Sequence, residues 1–158
     1  MKALYGRNAL QEGALGPESR ALLDDIVKSS GATNPYDLAV AIRERLRDPT
    51  EFTYDADVSD QAARCTAASI VECFAVIRAG FCQYYASMMA VYLRELAIPA
   101  RFVEGFLPGS PDPIGTGRTV RSADAHAWVQ AYFPGYGWID FDPTGGPARP
   151  ELAPIPSG

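Results

Sequence analysis

The apolar residues of this chain change their period near Pro99, and that switch restricts the possible fold more than any other feature. Before Pro99 they recur every three or four positions, as on one face of a helix. After it they alternate, as in strands packed on one side. Pro17 and Glu18 open a first helix that carries Leu22, Leu23, Ile26 and Val27, and Gly31 ends it. Asn34 and Pro35 form a second start signal, a capping amide followed by proline at the first helical position. Leu38, Ile42 and Leu46 follow, and Pro49 stops the helix. Residues 51–58 alternate and read as a short extended segment, and Ile70 to Ala79 reads as a third helix. Gly80 breaks it, and Cys82 starts a fourth, with Ala86, Met89, Ala90, Leu93 and Ala97 on one face.

The second half reads as strands at Arg101 to Phe106, Val120 to Arg121, Ala125 to Phe133 and Trp138 to Phe141. Leu107 to Gly117, rich in proline and glycine, reads as a loop that could flank a cleft or lie free on the surface. Helices first and antiparallel strands later define an α+β fold. Residues 1–16 read as an N-terminal arm, residues 17–144 as one domain, and residues 145–158 as a proline- and glycine-rich tail or linker. A length of 158 residues fits one domain, and 47% apolar residues exclude a disordered chain. A net charge of −5 argues against nucleic acid as a partner. The sequence shows no apolar run of membrane-spanning length and no signal-peptide pattern at its start.

Three residues carry the chemistry. Cys82 follows a glycine-containing break and begins a helix, where unpaired amides and a partial positive charge favour a thiolate. His126, the only histidine, lies in a strand, and Asp142 lies at the end of the next. A three-residue loop of Phe133, Pro134 and Gly135 would set Trp138 opposite Gln130, Asp140 opposite Trp128 and Asp142 opposite His126. Carboxylate and imidazole then share a face, whereas a one-residue slip would separate them. A four-residue loop around Pro134 to Gly137 is also compatible. Thiol, imidazole and carboxylate are the parts of a cysteine-nucleophile triad working through an acyl-enzyme. The Cys82 amide and the Tyr54 hydroxyl are candidate oxyanion donors.

Four stretches resemble the transglutaminase-like superfamily, whose core is papain-like. They are Gly80-Phe-Cys-Gln-Tyr-Tyr-Ala86, Leu93-Arg-Glu-Leu-Ala-Ile-Pro-Ala-Arg101, Asp124-Ala-His-Ala-Trp128 and Gly137-Trp-Ile-Asp-Phe-Asp-Pro-Thr144. Phe52-Thr-Tyr54 is similar to the strand that precedes the family's nucleophile. The resemblance is nearest to extracytoplasmic domains of bacterial membrane-anchored members. It implies Cys82 as nucleophile, His126 as base and Asp142 as its orienting partner, on a nucleophile helix packed against an antiparallel sheet. It further implies acyl transfer through a thioester, foremost from a protein glutamine to an amine, with a protein or peptide substrate, amine or water as acyl acceptor, no cofactor and no metal. Contact with a membrane would come only through segments of a longer parent. Animal members carry tryptophan after the nucleophile, where this chain has Gln83, and their calcium sites have no counterpart at this length. The deglycosylating members' paired CxxC motifs are absent from the sequence.

The remaining candidates have quieter readings. Cys65 and Cys73 read as structural thiols, with pairing outside the cytoplasm as the alternative, on which the seven residues between them say nothing. Trp128 and Trp138 read as core or cleft-wall residues, Asp140 as the fallback orienting carboxylate, and Asp124 as a turn former. Arg101 and Arg121 read as solvated, with contact to an acidic substrate as the alternative. Besides acyl transfer, two fates of the thioester or the fold stay open: hydrolysis, as in a cysteine protease or amidase, and a binding module without chemistry. The three cysteines and His126 also make up a Cys3His zinc set, although their spacing is unlike that of zinc knuckles.

Overall fold

The computed structural model describes residues 15–60, 64–67 and 69–146. Four helices are present among them: α1 (Pro17–Ser30), α2 (Pro35–Arg47), α3 (Ile70–Ile77) and α4 (Cys82–Glu95). The strands are β1 (Thr53–Tyr54), β2 (Ala79–Gly80), β3 (Ala100–Phe106), β4 (Ser110–Pro111), β5 (Arg118–Thr119), β6 (Ala125–Phe133) and β7 (Gly137–Phe141). A short 3-10 turn, Ser122–Asp124, leads into β6.

The helix ends follow local chemistry. Asn34 accepts a hydrogen bond from the Asp37 amide at the start of α2, and Ser69 does the same for Glu72 at the start of α3. Gly31 closes α1 in the left-handed conformation. Helix α1 starts without a cap of its own. Its leading amides, Glu18 and Ser19, donate instead to the carboxylate of Glu72, at 2.9 Å each. Ser19 Oγ donates to the same carboxylate at 2.7 Å. This buried acid ties α1 to α3, and its hydrogen bonds hold it below the usual carboxylate range although burial pulls the other way.

Helix α4 is the centre of the molecule. One side meets α2 and α3, and the other lies on β3 and β6. It therefore buries Tyr85, Met88 and Tyr92 in addition to the expected Ala86, Met89, Ala90 and Leu93, whereas Ala97, expected on the same face, lies beyond the helix end and is exposed. A single amphipathic face underestimates a helix covered on two sides. The Tyr92 hydroxyl reaches through this layer to the Ser19 carbonyl at 2.7 Å.

The main sheet is antiparallel in the order β3-β6-β7, and β1 and β2 form a separate parallel pair. Strand β6 lies where its alternation puts it, with Ala127, Val129, Ala131 and Phe133 buried. The hairpin register differs from expectation by two residues. Phe133 pairs with Gly137, Tyr132 with Trp138, and Gln130 with Asp140. The loop is thus Pro134, Gly135 and Tyr136, closed by a bond from the Tyr136 amide to the Phe133 carbonyl. Proline second and a positive-φ glycine third are the pattern of a type II turn. A shift of two preserves which face each side chain occupies.

Other expectations need correction. The extended segment over residues 51–58 reduces to Thr53–Tyr54, and α3 ends at Ile77 rather than Ala79. Val120 to Arg121 is not a strand; the pairing residues are Arg118–Thr119, against Ser110–Pro111. The Leu107 to Gly117 loop therefore contains half of a small hairpin, pinned by Arg118 to the carbonyls of Pro108 and Gly109. Cys65 and Cys73 are not thiols but a disulfide. The outer parts of the expected arm and tail, residues 1–14 and 147–158, lie outside the described residues. Leu15 packs against the core, and Gly145 lies against α2.

Candidate active site

Two short connections place Cys82. Strand β2 pairs with β1, Tyr54 against Gly80, and the chain then turns through Phe81 into α4. Cys82 is the first residue of that helix, and the N-cap residue Phe81 makes no side-chain capping bond. It is the only cysteine outside the disulfide and is 9% exposed. The pairing also brings Tyr54 to the mouth of the same site.

His126 is the second residue of β6 and faces Gly105 of β3. Its imidazole Nε2 and the Asp142 Oδ2 are 2.7 Å apart. Continued by one step, the β6–β7 ladder would set Asp142 level with Trp128, so this bond runs diagonally across the pair. The neighbouring pair repeats the diagonal: Trp128 Nε1–H donates to Asp140 Oδ1 at 3.0 Å. Diagonal neighbours on one face of a twisted sheet are within reach of long side chains. Asp140, the fallback carboxylate, thus holds the indole and not the imidazole. The two rings lie nearly parallel, with planes 20° apart.

A side-chain hydrogen bond joins His126 to Cys82. With Nε2 engaged by Asp142, the ring nitrogen left for the sulfur is Nδ1. Burial would push the imidazole down, but the bonds and charges of Asp142 and Cys82 lift it to about 9. Asp142 responds in the opposite sense. Burial would raise it, yet the bond from His126 and the Thr144 amide, at 3.0 Å, hold it below the usual carboxylate range. The three groups expected to meet do meet.

The sulfur and the imidazole lie on the wall of a cleft of about 560 Å³. Tyr54, Phe81, Gln83, Glu104, Gly105 and Phe106 are among its other lining residues. Gly105 must be small, because an added Cβ would come within 2.7 Å of the Trp128 indole. Gln83 Nε2 donates to Glu104 Oε1 at 2.7 Å. Glu104, Gly105 and Phe106 escaped the sequence reading. Their place in the cleft follows from the β3–β6 register, which sequence spacing does not encode.

The other candidates settle plainly. Asp124 accepts from the Arg121 amide and shapes the turn before His126, as expected. Arg101 is occupied, bonded to Gln130 and stacked 4.2 Å from the Trp138 ring centre. Trp138 is 37% exposed on that outer face and belongs neither to the core nor to the cleft lining. The disulfide removes two sulfurs from the Cys3His zinc set, and no metal-binding group of three or more ligands occurs among the described residues.

A helix-terminal thiol, an imidazole and a carboxylate, set on a central helix against an antiparallel sheet, define a protein of the papain-like transglutaminase-core class. The chain belongs to the transglutaminase-like superfamily, whose family model matches residues 20–143. It is 36% identical over 130 residues to a protein-glutamine gamma-glutamyltransferase of Pseudomonas aeruginosa, covering 81% of this chain and 18% of that protein. It is similar to the periplasmic domain of TgpA from Pseudomonas aeruginosa, with 34% identity and a TM-score of 0.67 over 86% of this chain and 44% of that one. A solved TGase at 19% identity and a TM-score of 0.54 shares the fold over 96% of this chain and 38% of its own. The chain thus spans less than half the length of each of these relatives.

Proposed function

We propose that this domain is a cysteine acyltransferase of the transglutaminase type, joining a protein glutamine to an amine through a thioester. The observation that carries the reading is one buried imidazole bonded both to the Cys82 thiol and to Asp142. In this mechanism the pair rests as thiolate and imidazolium. The thiolate attacks the glutamine carboxamide carbon, and the Cys82 amide and the Tyr54 hydroxyl hold the developing oxyanion. His126 gives its proton to the departing ammonia, leaving a thioester and a neutral ring. An amine then attacks that carbonyl and passes a proton to His126, and the sulfur leaves as thiolate. Asp142 keeps the ring oriented and supports its charged form.

Water in place of the amine turns the same thioester toward hydrolysis, the cysteine protease or amidase outcome. A binding module without chemistry fits poorly, because thiol, imidazole and carboxylate are all present, with His126 bonded to the other two. The location outside the cytoplasm suggested by the periplasmic relative accords with the Cys65–Cys73 disulfide, a bond typical of oxidising compartments. Among the described residues no helix is long and apolar enough to cross a membrane.

The test offers a glutamine-containing peptide together with a labelled primary amine, with Cys82→Ala as the blank. Addition of the amine with loss of ammonia supports transfer. Deamidation alone, or peptide cleavage, replaces it with hydrolysis. No mass change with any glutamine or peptide substrate, at full Cys82 accessibility to iodoacetamide, removes the enzymatic reading.

A further inference from the structure

We infer that Glu104 selects the acyl acceptor, favouring a primary amine that is cationic and carried on an aliphatic stem. This inference rests on the acyl-transfer reading and specifies its second substrate. Glu104 is the only acidic side chain among the described residues lining the cleft, and no lysine or arginine lines it. In the acyl-enzyme, where the sulfur is a thioester and the ring is neutral, Glu104 is the one charged side chain among the described residues lining the cleft; Asp142, bonded to His126, is not among the lining residues.

The carboxylate is held in place. Gln83, the residue next to the nucleophile, donates to its Oε1. Among the described residues Oε2 bonds to no protein group, so it is open to a cation. Close by, Phe106 is 59% exposed and Phe81 also lines the cleft, giving apolar surface for methylenes. A neutral glutamine carboxamide has no charge for Glu104 to meet, so the preference falls on the acceptor. An ammonium held there raises the local amine concentration beside the thioester. After it yields one proton to solvent, the neutral nitrogen attacks: the C–N bond forms, the C–S bond breaks, and the second proton passes to His126.

The experiment measures transfer from a glutamine-containing peptide to two acceptors, the cationic monodansylcadaverine and hydroxylamine, which is uncharged near neutral pH. In Glu104→Gln, KM for the cationic amine is expected to rise roughly threefold relative to that for hydroxylamine, as suits an exposed ion pair, with kcat little affected. Glu104→Lys enlarges the ratio, and added salt shrinks the difference between variants. A merely structural role would move both acceptors together. If the unaltered chain transfers both amines and the ratio is the same in both variants, the role of Glu104 is overturned while acyl transfer stands. If the unaltered chain forms an acyl-enzyme that only water resolves, or forms none, both readings fall.

Discussion

Helices α1 and α4 both begin without a cap from their own flanking residue, and the deficit is resolved in different ways. At α1, α3 supplies a buried carboxylate, Glu72, whose two oxygens take the leading amides. At α4 the flanking Phe81 gives no side-chain cap either, and the first residue is the cysteine outside the disulfide. An anion at a helix start is favourable in either place. In α1 the anion is permanent and serves packing. In α4 the corresponding place goes to the sulfur and, on our reading, to an oxyanion that exists only during turnover.

Removing each anion in turn sharpens this contrast. Cys82→Ala should abolish amine incorporation, by at least about 10⁴-fold, while the urea midpoint hardly moves. Asp142→Ala should lower kcat by about 10²- to 10⁴-fold without unfolding the chain. It should also return the only imidazole toward its ordinary range, a shift followed by NMR of the single histidine. Glu72→Ala reverses the pattern, costing about 2–3 kcal/mol in urea unfolding and leaving iodoacetamide labelling of Cys82 close to normal. If Glu72→Ala slowed labelling as strongly as Asp142→Ala slows turnover, the two helix starts would not be separable. The smallest effect belongs to the ordinary cap of α2, where Asn34→Ala should cost about 1 kcal/mol.

The pH dependence follows from the same groups. His126 sits higher in the fold than its usual 6.5, so its contribution to stability is complete below 6.5 and is lost as pH rises through about 9. Asp142 sits below its usual 3.8, so its contribution is complete above 3.8 and is lost as pH falls through its lower folded value. Urea midpoints should therefore decline between pH 6.5 and 9 in the unaltered chain. In Asp142→Ala that alkaline decline should flatten.

Much of this was legible because it is local. Pro17, Gly31 and the Asn34–Pro35 pair mark helix ends by backbone chemistry, and the alternation of β6 needs no partner to be recognised. The meeting of His126 and Asp142 was legible for a subtler reason. The turn moved by a two-residue register, which changes direct neighbours into diagonal ones but leaves every side chain on its face. What stayed hidden depends on distant geometry. Seven intervening residues cannot announce that Cys65 and Cys73 meet. The double coverage of α4 depends on layers contributed from both sides. Glu104 enters the cleft only through the pairing of β3 with β6 and the reach of Gln83.

The Cys65–Cys73 bond also decides how this molecule ages. Because it consumes both other cysteine sulfurs of these 158 residues, an oxidised Cys82 has no resolving thiol among them. A sulfenic acid formed there must be reduced by an outside thiol, or it proceeds to the irreversible sulfinic state. Peroxide should therefore inactivate the isolated domain in a way that small-molecule reductants rescue early and cannot rescue late.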